Sequence, residues 1–216
     1  MNFSDERLLW INQVGQLWTD RNKVYWKQRI PTFRTLLANL EIKSILEIGC
    51  NRGYNLEAMR QVGEYEMTGM DICSYPLLNP TESAGKDISF IQGDVQNLPF
   101  KDDSLDLVFS VGVLMLFDTS DLLKIAKELY RVSRRYFLAI EYPVLDPEIG
   151  EKMLGEFAVH TRYIPVPTRW WESVTIWWQR DYSFFLPNFV DRGILGSETG
   201  FDRCGWWLFD KKLAEA

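Results

Sequence analysis

The sequence contains little histidine and little cysteine. Its 216 residues include one histidine, His160, and three cysteines, Cys50, Cys73 and Cys204. The cysteines are odd in number, scattered along the chain and without the spacing of metal ligands, which argues against a disulfide framework or a Cys/His metal site. We therefore predict no bound metal and interpret the cysteines as reduced thiols of a cytoplasmic protein.

Long hydrophobic runs are also missing. No apolar run approaches the roughly 18 residues of a membrane span. Residues 1–7 provide neither the basic region nor the apolar stretch of a secretory signal. The sequence therefore predicts no contact with a membrane.

An excess of positive charge is absent as well. The chain has 24 Lys and Arg against 30 Asp and Glu, a formal net charge of −6. A protein that grips DNA or RNA electrostatically needs a basic face that releases counterions. A basic cluster, Arg131, Arg134 and Arg135, falls at the end of a predicted helix, where cations favourably face the helix dipole. We therefore predict no nucleic-acid partner.

The dinucleotide fingerprint G-x-G-x-x-G does not occur where a nucleotide-binding turn is expected. If the fingerprint started at Gly49, it would require glycine at Asn51 and at Tyr54. This excludes the NAD interpretation of the turn.

What the sequence does have is an apolar strand that runs into a glycine-bounded turn and then a helix. Its pattern Glu47-x-Gly49-x-x-x-Gly53 resembles motif I of the class I S-adenosylmethionine (SAM)-dependent methyltransferases. The resemblance implies that Glu47 and the turn, including Gly49, Cys50, Asn51 and Gly53, hold the methionine part of SAM. Asn51 stands where a glycine is usual, and Asn tolerates left-handed backbone angles best among the other residues, so we expect the turn to form.

Three further stretches resemble later motifs of the same family, in the same order. Asp71 and Ile72 end a second strand, where the resemblance implies hydrogen bonds from Asp71 to the ribose diol. Asp94 and Val95 resemble the adenine-binding loop, and Ser110 ends the fourth strand, which would lie under the sulfonium. The motifs together predict SAM as cofactor and S-adenosylhomocysteine as product.

The alternation of strands and helices predicts an α/β fold. We expect a doubly wound, Rossmann-like, seven-stranded sheet that is mostly parallel, with a closing antiparallel hairpin and a helical N-terminal lid. The predicted strands are 43–48, 66–71, 88–92, 104–110, 136–140, 189–195 and 205–209. Helices are predicted over 53–62, around 75–84 and near 181–187. Residues 1–216 are predicted to form one domain, with a helical extension (1–40), a SAM-binding core (41–145), an acceptor-cap insertion (146–180) and a closing helix and hairpin (181–216).

Two short stretches resemble a narrower family, the methylases associated with pseudaminic acid biosynthesis. One is the N-terminal run that ends in Trp18, Arg21 and Asn22, and the other is Trp178–Tyr182. The resemblance implies that Trp18, Arg21 and Asn22 close over the cofactor. An aromatic stripe at helical spacing is also typical of core packing, so a core position for Trp18 stays open.

The candidates for acceptor binding and catalysis lie near and within the insertion. Glu141 ends the fifth strand, where we expect its side chain to point into the crevice, and His160 has a pKa suited to a general base. Arginines could pair with an anionic acceptor and aromatic rings could stack on it. The predicted substrate-binding residues are Tyr142, Arg162, Trp170, Trp171, Trp178 and Arg180. A hydrogen-bonded loop position for His160 and a core position for some tryptophans remain open.

The sequence as a whole predicts a cytoplasmic, SAM-dependent methyltransferase of a small molecule. A sugar or sugar acid of bacterial surface-glycan biosynthesis is the predicted acceptor, and the enzyme is expected to be a monomer or homodimer. The alternatives are an O- or N-methyltransferase of a natural-product pathway and a SAM-binding partner protein without chemistry of its own. A nucleic-acid methyltransferase comes last among the alternatives, and a basic surface around the crevice would favour it.

Overall fold

The computed structural model describes residues 7–8, 10–81, 87–117, 119–143, 160–163, 176–179, 182, 189–201 and 204–215. Nine strands lie within these ranges. They are β1 (Ser44–Ile48), β2 (Glu66–Asp71), β3 (Ile88–Gln92), β4 (Leu105–Val111), β5 (Ser133–Glu141), β6 (His160–Tyr163), β7 (Ile176–Gln179), β8 (Phe189–Ile194) and β9 (Gly205–Asp210).

Seven of these strands form one sheet in the order β3-β2-β1-β4-β5-β9-β8. The strands from β3 to β5 pair in parallel, and β9 runs antiparallel to both of its neighbours, β5 and β8. The predicted fold class, a mostly parallel doubly wound sheet with a closing antiparallel hairpin, is confirmed. The order of the parallel strands reverses between β1 and β4, and the crevice at such a point is where open α/β sheets bind ligands.

Helices connect the strands and precede the first one. The described α-helices are α1 (Gly15–Arg21), α2 (Ile30–Leu37), α3 (Tyr54–Arg60), α4 (Ser74–Leu78) and α5 (Thr119–Val132), and a π-helical turn covers Trp10–Val14. Short 3₁₀ turns occupy Trp26–Arg29, Leu114–Leu116, Ser197–Thr199 and Lys211–Glu215. Helix α4 is shorter than the predicted 75–84, because Asn79 precedes Pro80 and the residue before a proline is disfavoured in helical geometry.

The sheet is buried on both faces, which explains the nearly continuous apolar character of its central strands. Neighbouring residues of a strand point to opposite faces, so Ile45 and Leu46 belong to different core clusters. One face of the sheet packs against α5, through Leu122, Ile125 and Leu129. The other face packs against α2 and α3, through Phe33, Leu37, Leu56 and Met59.

The insertion contains more regular structure than the sequence suggests. Strands β6 and β7 form an antiparallel hairpin in which His160 pairs with Gln179 and Arg162 pairs with Trp177. Strand β7 contacts the 3₁₀ turn Leu114–Leu116. The predicted helix near 181–187 lies outside the described residues except for Tyr182, and the division of the chain into an extension, a core, a cap and a closing unit stays a prediction.

No helix in the described part of the chain is both long enough and apolar enough to cross a membrane.

Candidate functional site

A cavity of about 340 Å³ opens at the carboxyl ends of the parallel strands. Its walls come from parts of the chain that are far apart in sequence. They lie within 7–29, 49–55, 70–72, 93–95, 111–117, 142 and 200–204. The N-terminal segment therefore forms one wall, and the loops that follow β1, β2, β3 and β4 form the others.

The loop after β1 makes a turn that depends on left-handed backbone angles. Gly49 has a φ of 65°, Asn51 of 49° and Gly53 of 78°. A Cβ atom on Gly49 would clash with Cγ2 of Val113, so the neighbouring loop leaves no room for a side chain there. Gly53 then caps α3 in the left-handed conformation. The predicted turn therefore forms, with asparagine at its middle position.

Asn51 also links three parts of the site. Its backbone N–H donates to Oδ2 of Asp71 at 2.9 Å, and its Oδ1 accepts from the backbone N–H of Arg52 at 2.9 Å. Its Nδ2 donates to Oγ1 of Thr19 in α1 at 2.8 Å. A glycine at this position would form the turn but would lack the bond to the N-terminal segment.

Asp71 ends β2 and lines the cavity. Its Oδ1 accepts a hydrogen bond from the backbone N–H of Cys73 at 2.9 Å, in addition to the bond from Asn51. Burial raises its pKa, and these backbone donors partly oppose that rise. Each carboxylate oxygen has a further lone pair that a ligand hydroxyl could use.

Asp94 lies on another wall of the cavity and already has a cationic partner. Its Oδ2 is 3.1 Å from Nη2 of Arg7, which also lines the cavity, and its Oδ1 accepts from the backbone N–H of Gln96 at 3.0 Å. Val95 follows with its side chain buried. Arg7 was not predicted, because nothing in its local sequence indicates that the chain brings it to the third strand.

Glu47 is buried just behind the cavity wall. Its Oε1 accepts a hydrogen bond from Nδ2 of Asn55 at 2.6 Å, whereas Oε2 has no hydrogen-bond partner. Burial raises its pKa to about 8, with the bond from Asn55 acting in the opposite direction. A buried acceptor without a donor is unusual and calls for an explanation.

Arg29 stands next to this glutamate on the cavity wall and was missed by sequence reasoning. Its Nη1 donates to Oδ1 of Asn55 at 2.5 Å, and its Nε donates to the backbone oxygen of Gly200 at 3.0 Å. Burial lowers the pKa of its guanidinium, and the charge of Glu47 opposes that effect. Arg29 on the cavity wall and the buried carboxyl group behind it thus share Asn55 as a hydrogen-bond partner.

Glu141 does not line the cavity, contrary to the expectation that its side chain points into the crevice. It is fully buried and accepts hydrogen bonds from Oγ of Ser110 and from the backbone N–H groups of Val113, Leu114 and Met115, at 2.8–3.4 Å. Burial raises its pKa to about 7. These contacts fix the loop after β4, whose residues line the cavity.

The other predicted residues fall into three groups. The cavity is lined by many of them, namely Trp18, Asn22, Gly49, Cys50, Asn51, Asp71, Ile72, Asp94, Val95 and Tyr142. The lining does not include Arg21, Glu47, Gly53, Ser110 and Glu141. The backbones of His160, Arg162 and Trp178 lie in the β6–β7 hairpin, and Trp170, Trp171 and Arg180 lie outside the described residues. The predicted roles of all these residues stay predictions.

Two features bear on other kinds of chemistry. The Cys50 thiol is buried, and burial raises its pKa, so the thiol rather than the thiolate faces the cavity. Within the described ranges, no group of three or more His, Cys, Asp or Glu side chains could hold a metal ion.

Residues 46–136 match a family model described as a methyltransferase domain. This match covers less than half of the chain, and over it the sequence resembles a methyltransferase domain. The predicted enzyme class, a class I SAM-dependent methyltransferase, and its cofactor SAM are confirmed at the level of this domain. The narrower resemblance to the pseudaminic acid methylases gains no support from the proteins named below and stays a prediction.

Curated relatives have two kinds of name. A tRNA U34 carboxymethyltransferase from Campylobacter curvus is 32% identical over 94 residues, which cover 42% of this chain and 31% of the relative. A malonyl-[acyl-carrier protein] O-methyltransferase from Pectobacterium atrosepticum is 30% identical over 90 residues, 42% of this chain and 34% of the relative. The matched part of the chain thus spans about a third of the length of these two relatives.

Solved structures agree on the fold. The magnesium protoporphyrin IX methyltransferase of Synechocystis, with bound S-adenosylhomocysteine, superposes with a TM-score of 0.66 over 97% of this chain and 99% of its own, at 14% identity. A SAM-dependent methyltransferase from Methanosarcina mazei gives a TM-score of 0.62 at 21% identity, over 82% of this chain and 96% of its own.

These comparisons correct one prediction. Four of the curated relatives are named as tRNA U34 carboxymethyltransferases. The prediction of a small-molecule acceptor without any nucleic acid is therefore wrong. It rested on the net charge of the whole chain, which does not report the charge of a single surface.

Proposed function

We propose that the chain transfers the methyl group of SAM to an acceptor group carried by RNA. The proposal has a donor half, the binding of SAM as methyl donor, and an acceptor half, the identity of the group that is methylated. The observation that carries the donor half is the buried Oε2 of Glu47, which has no hydrogen-bond partner. It lies beside a cavity that is lined by the guanidinium of Arg29. An amino acid has both an ammonium and a carboxylate. Glu47 would accept from the ammonium and Arg29 would bind the carboxylate, so these residues fit the methionine part of SAM.

The remaining cavity residues fit the rest of the donor. Asp71 has free acceptor capacity for a ribose diol at the end of β2. Asp94 would accept from the adenine amino group, with Val95 beside the ring. Because Asp94 is paired with Arg7 at 3.1 Å, we expect this ion pair to loosen or rearrange when the adenine end enters.

When bound, SAM supplies a methyl group on a sulfonium, which leaves without help from an acid. The task of the protein is then to hold the acceptor in line with the donor and to exclude water, which intramolecular models value at roughly 7–11 kcal/mol. We assign Glu141 a positioning role, since it holds the backbone of Val113, Leu114 and Met115 beside the cavity.

RNA is the acceptor that the names of four relatives favour. A second candidate is a carboxyl group carried by a carrier protein, because two relatives are named as O-methyltransferases of malonyl-[acyl-carrier protein]. Both candidates bring the reacting group to the cavity on a large carrier.

Two measurements test the proposal. Calorimetric titration with SAM and S-adenosylhomocysteine should give micromolar binding, and Asp71→Ala should weaken that binding at least about tenfold, since hydrogen bonds to a charged group contribute about 1.5–3 kcal/mol. Label from methyl-tritiated SAM should then appear in unfractionated tRNA.

The outcomes separate the two halves of the proposal. Absence of binding by either ligand would overturn the donor half. Binding without label in tRNA would overturn the acceptor half, and label in a malonyl carrier protein would select the second candidate. Binding with no transfer to any carrier would indicate a SAM-binding partner protein.

A further inference from the structure

One stretch beside the cavity is positively charged, although the chain as a whole is negatively charged. Residues 21–34 contain five cationic side chains and no Asp or Glu, in a chain with a formal net charge of −6. The cations are Arg21, Lys23, Lys27, Arg29 and Arg34. The nearest acidic residue along the chain is Asp20, which pairs with Arg52 at 3.4 Å and accepts a hydrogen bond from the Tyr75 hydroxyl at 2.9 Å.

Residues 22–25, between α1 and the next 3₁₀ turn, point their side chains alternately toward the cavity and toward solvent. In a chain without helical structure that runs extended, successive side chains point to opposite sides. Asn22 and Val24 line the cavity, whereas Lys23 and Tyr25 are exposed to solvent. Residues 22–27, which we name the rim segment, therefore form the cavity wall and an outer surface at once.

The outer surface of the rim segment combines an aromatic ring with two ammonium groups. The Tyr25 side chain is 80% exposed, and Lys23 and Lys27 on either side of it are exposed. The Lys27 Nζ lies 5.6 Å from the ring centre of Trp26. Among the residues that the structure describes, no carboxylate forms an ion pair with Lys23 or Lys27, so both ammonium groups are available to an anion.

The other basic cluster of the chain differs in this respect. Arg131 pairs with Glu128 and Asp102, Arg134 pairs with Asp106, and Arg135 pairs with Glu41 and Asp210. Its charge is neutralised within the fold, and these residues lie around the start of β5, at the edge of the sheet opposite the cavity.

We propose that the rim segment is the RNA-binding surface of this chain. A base of a single-stranded region stacks on Tyr25 and the neighbouring phosphates contact Lys23 and Lys27, which brings the adjacent nucleotide to the mouth of the cavity. Stacking on exposed aromatic rings between cations is how proteins bind single-stranded nucleic acid. An acidic protein would use the lysines but would not need the exposed ring. This inference rests on the acceptor half of the proposed function.

The test measures binding of a fluorescein-labelled oligouridylate to the intact chain by anisotropy over a range of salt concentrations. Tyr25→Ala should weaken binding about tenfold, within the range measured for loss of base stacking. The double variant Lys23→Ala/Lys27→Ala should reduce the slope of log affinity against log salt by about 1.4, because each single-strand phosphate contact contributes about 0.7.

A matched control uses two exposed lysines at the opposite edge of the sheet. Lys43 precedes β1 and Lys101 precedes β4, so Lys43→Ala/Lys101→Ala removes the same charge far from the cavity mouth. This control should keep the affinity and the salt slope of the unaltered chain. Titration with S-adenosylhomocysteine should give the same affinity for all variants.

Three results would overturn the inference. The oligouridylate could fail to bind, the control variant could weaken binding as much as the rim variants, or Tyr25→Ala could have no effect while polyglutamate competes as well as RNA. The last result would indicate an acidic protein as partner. If S-adenosylhomocysteine still binds in each case, the donor half of the proposed function stands.

Discussion

Two buried glutamates at the same edge of the sheet have opposite surroundings. Glu47 lies near the end of β1 and Glu141 ends β5, and both are essentially inaccessible to solvent. Burial raises the pKa of both, to about 8 for Glu47 and to about 7 for Glu141. The two glutamates therefore match in residue type, in burial and in lying toward the carboxyl end of a strand.

They differ in their hydrogen bonds. Glu141 accepts from one hydroxyl and three backbone N–H groups. Glu47 accepts from the Asn55 side chain, the Leu56 backbone N–H lowers its pKa only weakly, and Oε2 has no hydrogen-bond partner. Backbone donors are supplied by the fold itself, so a carboxylate that they surround stabilises a loop. A carboxylate that the fold leaves short of donors is able to bind a cationic ligand, and its burial alone would not have told the two apart.

The largest effect is expected from replacing Glu141, whose two carboxylate oxygens both accept hydrogen bonds. Glu141→Ala leaves four donors without an acceptor, three of them in buried hydrogen bonds. Each such buried group costs about 1–3 kcal/mol unless water replaces the carboxylate. We expect the free energy of unfolding to fall by about 3–5 kcal/mol. Urea denaturation followed by circular dichroism measures this.

The control for that variant is Glu141→Gln, which keeps an acceptor for Ser110 and Leu114 and should lose much less stability. Equal losses in the two variants would show that the charge of Glu141, and not its acceptor geometry, holds the loop.

Glu47→Gln should leave stability unchanged and weaken the binding of ligand. The amide keeps the shape of the side chain and removes a buried ionisable group, so we expect stability to be retained at neutral pH. Affinity for S-adenosylhomocysteine should fall about tenfold or more, because a charge-assisted bond contributes about 1.5–3 kcal/mol. Calorimetry on the variant and on unaltered protein measures both affinities. A variant that loses stability but keeps its affinity would reverse the roles that we assign to the two glutamates.

The pH dependence of binding sharpens the contrast. A pKa of about 8 means that Glu47 is largely protonated in the free protein at pH 7, whereas an ammonium favours its ionised form. Binding should therefore release a proton, and affinity should rise by up to about tenfold per pH unit as the pH approaches 8.

The same raised pKa has the opposite sign for folding. A carboxyl group whose pKa is raised in the folded state stabilises the fold at low pH, and this contribution is lost as the pH rises from about 4.5 through about 8. Glu47→Gln should flatten both pH profiles relative to the unaltered protein, which also corrects for titration of the ligand. An unchanged affinity profile in the variant would exclude Glu47 as the group that titrates on binding.

The smallest effect is expected from Asn51→Gly. Glycine removes the energetic cost of the positive φ of Asn51, but the variant loses the hydrogen bond to Thr19. The two effects on stability have opposite signs and are each about 1 kcal/mol. Global stability should change by less than about 1 kcal/mol, while amide hydrogens of α1 should exchange faster. Unchanged exchange in α1 would show that Asn51 does not hold the N-terminal segment.

The central fold could be predicted because it depends on local patterns. The apolar runs of β1 and β4 and the glycine-bounded turn after β1 are visible without any knowledge of their neighbours. The same holds for Asp71 and Asp94, since the carboxyl end of a parallel strand is also the ligand-binding edge.

The rest of the site depends on contacts between distant parts of the chain. No local pattern distinguishes Arg29, which reaches Asn55 and Gly200, from the other cations of its segment. Likewise, the unequal hydrogen bonding of Glu47 and Glu141 arises from the loops that pack around them. The hairpin of β6 and β7 was missed because its strands are only four residues long and show no clear alternation.

The position of β9 has a consequence for how the chain folds during synthesis. This strand pairs with β5 on one side and β8 on the other, although Glu141 and its partner Gly205 are far apart in sequence. While the ribosome is still making the intervening residues, one edge of β5 has no strand to pair with, and its apolar surface is exposed to other nascent chains. The sheet can close only after residues 205–210 have emerged, so a chaperone that covers β5 until then would favour correct folding.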